Sequence, residues 1–222
     1  AGLEVETLHA PFYGVNDMWL DGLAGTNYAA LLCACADACA HAGIPVMVLH
    51  PTFGINAPPV SPIGLSRFGA LCAYARQSGV RIAFENLEKP GHLDALLRTN
   101  PDWHGFCWDC GHNHCYTPEI DLMALYGHRL LCVHAHDNFG LRTPGLVTSA
   151  DDLHMLPMDG TVNWNGFAGR IRSSGFQGPL TLEVRAKQRD LYLEMTLEAY
   201  LSEGSARARA LALLCGTPDQ AA

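Results

Sequence analysis

Short apolar runs alternate along the chain with longer stretches in which apolar residues recur at helical spacing. The runs Leu3–His9, Pro45–His50, Arg81–Asn86, Gly105–Asp109, Leu130–His136 and Leu180–Val184 read as strands. Between and after them, helices are predicted over Tyr28–Ala42 (ended by Gly43), Leu65–Gln77 (stopping near Gly79), Leu93–Arg98, Glu119–Tyr126, a stretch capped by Asn163 and running to Ser173, and Thr196–Leu214. The strands are continuously apolar rather than alternating, the pattern of a parallel sheet buried on both faces. Strand and helix in regular alternation define an α/β fold of parallel βα units, here six. No linker, charge run or shift in composition divides the chain, so residues 1–222 are read as one domain.

Composition narrows the classes. Of 222 residues, 49% are apolar and 16% charged, which is globular and not disordered. Lys and Arg number 14 against 22 Asp and Glu, a net charge of -8 that argues against wide contact with nucleic-acid phosphates. No apolar run reaches the roughly 18 residues of a membrane-spanning helix. The first residues are acidic and lack a signal-peptide layout, and the chain does not begin with Met. Nine Cys, most of them within apolar stretches, read as small core residues, and a cytoplasmic location is expected. The 11 His are the larger clue, because imidazole beside carboxylate is what a metal site requires.

Those residues are not scattered. His9, His50 and Glu85 end the first three strands; Asp109 and His112 close the fourth, His134 and His136 the fifth, and Glu183 the sixth. Asp152 and His154 follow in a long polar loop. In a parallel β/α fold the C-terminal strand ends share one face, where active sites lie. A charged side chain ending an apolar strand must be paired, hydrogen-bonded or bound to metal. One such residue is ordinarily structural; six strand ends carrying only His, Asp or Glu point to a metal site. Other features read as structure. Cys107-x-x-Cys110 has no second pair to complete a zinc site, and the apolar stripe of Tyr28–Ala42 is core. Arg207 and Arg209 form a solvated face. His114 and His136 are spare imidazoles that serve beside ligands or toward substrate, and Trp19, Phe53 and Trp164 are loop aromatics able to wall a pocket.

The strand-end residues, with His134-Ala-His136-Asp137-Asn138 and Asp152-Leu-His154-Met-Leu-Pro157-Met-Asp-Gly160-Thr-Val-Asn-Trp164, resemble the xylose-isomerase-like barrel superfamily, a TIM-type (β/α)8 fold. The resemblance runs from His9 through Glu183 into the last helix. It implies one divalent metal on Glu85, Asp109, His134 and Glu183, as in the sugar phosphate isomerase/epimerase branch. It also matches the zinc ligands of the endonuclease IV branch, which adds His9, His50, His112, Asp152 and His154. The acidic charge and the absence of a basic loop set favour the isomerase branch. The implied activity is isomerisation or epimerisation of a sugar, sugar phosphate or related polyol through an enediolate. Glu85 and Glu183 are then the acid/base pair, and His50, His112, His136 and His154 contact substrate. Mixed N and O ligands fit Mn or Zn, and Mg less well. The alternatives are a zinc-dependent phosphoester hydrolase and a non-catalytic barrel remnant. The family's first His-bearing strand is normally the third, so the chain is expected to lack two of the eight βα units. An open sheet with bare edges favours association, and a homo-oligomer is expected.

Overall fold

The computed structural model describes residues 2–100, 103–186 and 190–216. All six expected strands form: β1 (Thr7–His9), β2 (Val46–Leu49), β3 (Arg81–Glu85), β4 (Gly105–Asp109), β5 (Leu130–Ala135) and β6 (Leu180–Leu182). They make one sheet in chain order, and the registered neighbours run parallel. The helices are α1 (Leu23–Ala42), α2 (Pro62–Gln77), α3 (Pro90–Thr99), α4 (Cys110–Tyr116), α5 (Leu122–Tyr126), α6 (Trp164–Ser174), α7 (Asp190–Leu193) and α8 (Leu197–Cys215). The chain is thus a six-stranded α/β array of parallel βα units.

Two compact units are distinguishable. The first runs up to Cys107 and includes Arg129–Cys132; the second takes in Trp108–His128 and the chain from Val133 on. In the first unit, Val46, Val48, Ala83, Cys107 and Cys132 pack together on one side of the sheet. The alternate residues Met47, Leu49, Ile82, Phe84 and Phe106 are also fully buried. Burial on both faces is why these strands are continuous apolar runs. All nine cysteines are free thiols; seven are buried, and Cys33 and Cys35 in α1 are half-buried. In the second unit, Leu156, Tyr192 and Tyr200 form a core with Val184, Ala186 and Met195.

Several boundaries differ from the sequence reading for local reasons. β1 is shorter than Leu3–His9 because its partner β2 begins only at Val46, opposite Thr7; Leu3 and Val5 are left exposed. α1 starts five residues before Tyr28. It admits Gly25 because a Cβ there would lie 2.2 Å from both the Arg67 guanidinium and the Asp17 carbonyl. α2 starts at Pro62, capped by Ser61 accepting from Gly64 N at 3.2 Å, a signal hidden in the Pro-rich loop. α4 and α7 have no counterpart among the expected helices, and α5 begins only after its cap Asp121. Asn163 does cap α6, accepting from Gly166 N at 2.9 Å.

Contrary to the expectation from the sequence, one helix is of membrane-spanning length. α1 has 20 residues and a mean hydropathy of 1.2, long and apolar enough by length and composition to cross a bilayer. Its many Ala and Cys are weakly apolar and form no obvious run. Here one stripe of it (Gly25, Tyr28, Leu32, Ala36, Cys39) is buried, and it packs on α2 and on the 3-10 turn Val15–Trp19.

Candidate metal centre

The second unit gathers most of the chemistry. β4 ends in Asp109, whose Oδ1 caps α4 by accepting from His112 N at 2.6 Å. This cap places His112 one turn into the helix, with Nδ1 3.7 Å from Asp109 Oδ2 and Nε2 3.3 Å from Asp152 Oδ2. β5 supplies His134, and the chain continues to His136 just past the strand end. Glu183 follows β6, and its N–H donates to Ala135 O at 3.2 Å, so the β5–β6 pairing extends to it. His134 Nδ1 lies 2.9 Å from Glu183 Oε2 and 3.9 Å from Asp109 Oδ2. Two carboxylates and an imidazole therefore face one another.

Beside them stands a second group, His112, His136, Asp152 and His154. His154 Nδ1–H donates to the Glu183 carbonyl at 2.8 Å, which turns Nε2 toward Asp152 Oδ2 at 3.0 Å. The His136 ring stacks on His154 at 4.0 Å between centroids, and Gly111 leaves it room: a Cβ at that glycine would sit 2.0 Å from the ring. Burial works against the Asp152 charge, but His112 and His154 outweigh it and hold the carboxyl well below its ordinary range. Burial likewise opposes the His154 cation, while Asp152 raises its pKa above the ordinary value.

The loop bearing Asp152 and His154 is folded around Asp137, which is fully buried. Its carboxylate accepts from Asn138 N (2.9 Å), Val162 N (3.0 Å), Met158 N (2.9 Å) and Trp164 Nε1 (2.8 Å). Its backbone pairs with Met155 in both directions at 2.9 Å. Gly160 is obligatory there, because a Cβ would meet Asn138 O and Asp137 Oδ1 at 2.4 Å. Sequence reasoning saw the Asp-Asn pair and the Pro-x-x-Gly loop but not that one carboxylate organises them. Trp164 is thereby a loop anchor, and Trp19 is likewise buried, donating to Pro51 O at 2.7 Å.

The first unit holds its own group. Glu85, fully buried at the end of β3, has its Oε2 3.1 Å from His9 Nε2 and 3.4 Å from His50 Nε2. Among the predicted site residues, the structure brings together His9, His50 and Glu85 in one unit and the other seven in the other. His114 instead contacts Thr161 Oγ1 at 3.0 Å. The Cys110 thiol is buried against the Asp109 charge, both pushing its pKa up, so it stays protonated.

The donor set suits a divalent ion. Glu183 Oε2 and Asp152 Oδ1 are buried oxygens with no hydrogen bond among the described residues, and such atoms are costly unless something binds them.

The family model described as xylose isomerase-like TIM barrel matches residues 1–211, and the chain belongs to that family. An uncharacterized protein, y4fM, of Sinorhizobium fredii is 32% identical over 120 residues, which are 50% of this chain and 36% of that protein. The match thus spans about a third of the length of this curated relative. Among solved structures, the D-psicose 3-epimerase with D-tagatose from Clostridium cellulolyticum H10 superposes with a TM-score of 0.75 at 12% identity, covering 93% of this chain and 77% of that one. The IOLI protein with a bound zinc atom gives 0.68 at 16% identity, over 95% and 76%. At these identities the likeness is one of fold.

Proposed function

We propose that the protein is a divalent-metal-dependent isomerase or epimerase acting on a sugar, sugar phosphate or related polyol. The observation that carries this is the facing of Asp109, His134 and Glu183 at three strand ends, with Glu183 Oε2 buried and lacking a hydrogen bond. These three are the metal ligands, and the family pattern adds Glu85. The mixed oxygen and nitrogen donors suit Mn or Zn. Bound there, such an ion supplies Lewis acidity toward a substrate carbonyl oxygen.

The remaining chemistry belongs to side chains. Glu183, whose side chain is about a third exposed, takes the proton from the carbon next to the carbonyl in this reading, and Glu85, assigned by the family pattern, returns one. His112 and His50 donate to substrate oxygens, whereas both ring nitrogens of His154 are already taken by Glu183 O and Asp152 Oδ2. The small-molecule character of the substrates named for the epimerase structures supports a sugar-sized ligand.

In D2O with the metal-loaded protein and D-tagatose or D-psicose as substrate, deuterium should enter the carbon next to the carbonyl. Glu183→Gln should slow that exchange by about 10²-fold or more; exchange retained at the wild-type rate removes Glu183 from its role.

The two further donor groups, His9–His50–Glu85 and His112–His136–Asp152–His154, favour a second reading, a phosphoester hydrolase with several zinc ions. Elemental analysis separates the two. One ion per chain supports the isomerase reading, and two or three zinc ions support the hydrolase.

A further inference from the structure

Of the proposed ligands in the second unit, Glu183 is the hardest to hold still. Asp109 ends β4, a strand with a neighbour on each side, and its carboxylate is fixed by the bond from His112 N. His134 lies within β5, another inner strand. Glu183 instead stands one residue past β6, the three-residue strand that ends the sheet and is only half-buried. On the β5 side its N–H reaches Ala135 O at 3.2 Å, the long end of the usual range. On its other side no strand flanks it among the described residues. The end of a short edge strand frays unless something else ties it.

One loop residue does the tying. The His154 ring donates through Nδ1–H to Glu183 O at 2.8 Å, and the His154 carbonyl accepts from Arg185 N at 2.9 Å. The two bonds fall on either side of Val184, so the main chain that carries the Glu183 side chain is gripped at two points. His154 is itself well held. It is 2% exposed, its ring stacks on His136, and its Nε2 meets Asp152 Oδ2 at 3.0 Å. The next residue, Met155, pairs in both directions with Asp137, the hub of the loop.

The backbone at His154 adds an independent observation. Its φ is 45°, in the left-handed region that residues with a Cβ seldom enter and glycine enters freely. Among the described residues only Met158 shares this trait without being glycine. Such a conformation persists where its surroundings over-determine it, and here they do so through the ring and the carbonyl together. We propose that His154 is a positioning residue, locking the main chain at Glu183 so that its carboxylate stays facing His134 Nδ1 as a metal ligand. This rests on the metal-dependent reading of the site and adds what keeps its edge-strand ligand in place.

Two substitutions separate the ring from the backbone. His154→Gly keeps the left-handed conformation and deletes the ring. His154→Asn also suits that conformation and restores an N–H donor, Nδ2, near the place of Nδ1. Calorimetric titration with manganese or zinc is the readout, on protein whose fold is intact by circular dichroism. His154→Gly should weaken the metal about tenfold, as loss of a group that orients a ligand does, and His154→Asn should recover most of that loss. Wild-type affinity in His154→Gly overturns the proposal. So does an asparagine variant as weak as the glycine one, which would assign the effect to the Asp152 contact. Loss of a whole metal equivalent in His154→Asn overturns it too, by making His154 a ligand. Deuterium exchange with D-tagatose tests the isomerase reading separately. The expected affinities without exchange in the wild type keep the positioning role and sink the isomerase. Exchange in the wild type with unchanged affinity in His154→Gly sinks the positioning role alone.

Discussion

His104 in the first unit and His136 in the second are both almost wholly buried imidazoles, and they meet burial in opposite ways. His104 is satisfied on both sides. Its Nδ1 accepts from Ile82 N at 2.9 Å, which fixes the tautomer, and its Nε2–H donates to Cys72 O at 2.8 Å. His136 makes no hydrogen bond through either ring nitrogen with any described residue. Its Nε2 is only 3.0 Å from Asp109 Oδ1, but out of line for a bond, and 3.7 Å from Asp152 Oδ1. An unsatisfied buried polar group costs about 1–3 kcal/mol. The first histidine therefore serves the fold. The second adds no hydrogen bond to the fold, which is why its surroundings are proposed as a site. A His count cannot make this distinction; the partners do.

Removing each ring in turn is the way to break the comparison. His104→Ala has the largest expected effect. It strands a buried N–H and a buried carbonyl and opens a cavity between β3 and α2, and it should cost about 4 kcal/mol. Urea denaturation measures the loss, while divalent-ion affinity of the folded fraction should hold. A cost below about 1 kcal/mol would erase the contrast.

Acid should act through the same ring, somewhat less strongly. Burial, together with Arg129, Arg76 and Arg81, outweighs the Cys72 bond and pushes the His104 pKa down to about 4 from an ordinary 6.5. Between those values the unfolded chain binds a proton that the folded chain refuses. Stability therefore falls as pH drops from 6.5 toward 4, by roughly 3 kcal/mol in all. His92, whose pKa burial also lowers, acts in the same direction. Urea midpoints followed across this window should decline, and the decline should be much shallower in His104→Gln.

How much of this was legible depended on how local the cause was. The six strands were readable because burial on both faces makes each a solid apolar run, as in Val46–Leu49. The donor residues were readable because parallel strands put their ends on one face, so His50, Glu85 and Glu183 needed only their position after such a run. The cap-dependent starts of α2 and α4 were hidden, since Ser61 and Asp109 look like loop or ligand residues until the backbone N–H they accept from is known. The hub at Asp137 was hidden for a stronger reason. Its four donors come from residues 138 to 164, and no spacing rule predicts that one carboxylate will collect them. The His104 bonds were equally invisible, because their partners Ile82 and Cys72 are distant backbone groups.

The smallest expected effect is the one that sharpens the contrast most. His136→Ala removes a ring that contributes no hydrogen bond, so metal-free stability should shift by less than about 1 kcal/mol, the cavity beside His154 being offset by relief of an unsatisfied imidazole. The ring also walls the Asp109 carboxylate on its Oδ1 side, leaving Oδ2 toward His134. Without it Asp109 gains freedom to rotate about its cap on His112, and affinity for zinc or manganese should fall about tenfold, as when other residues that orient a ligand are removed. Calorimetric titration of the metal into the variant, paired with its urea curve, gives both numbers on one sample. Unchanged affinity with lost stability would make His136 a second His104, and the donors around it would then be read as a buried polar core.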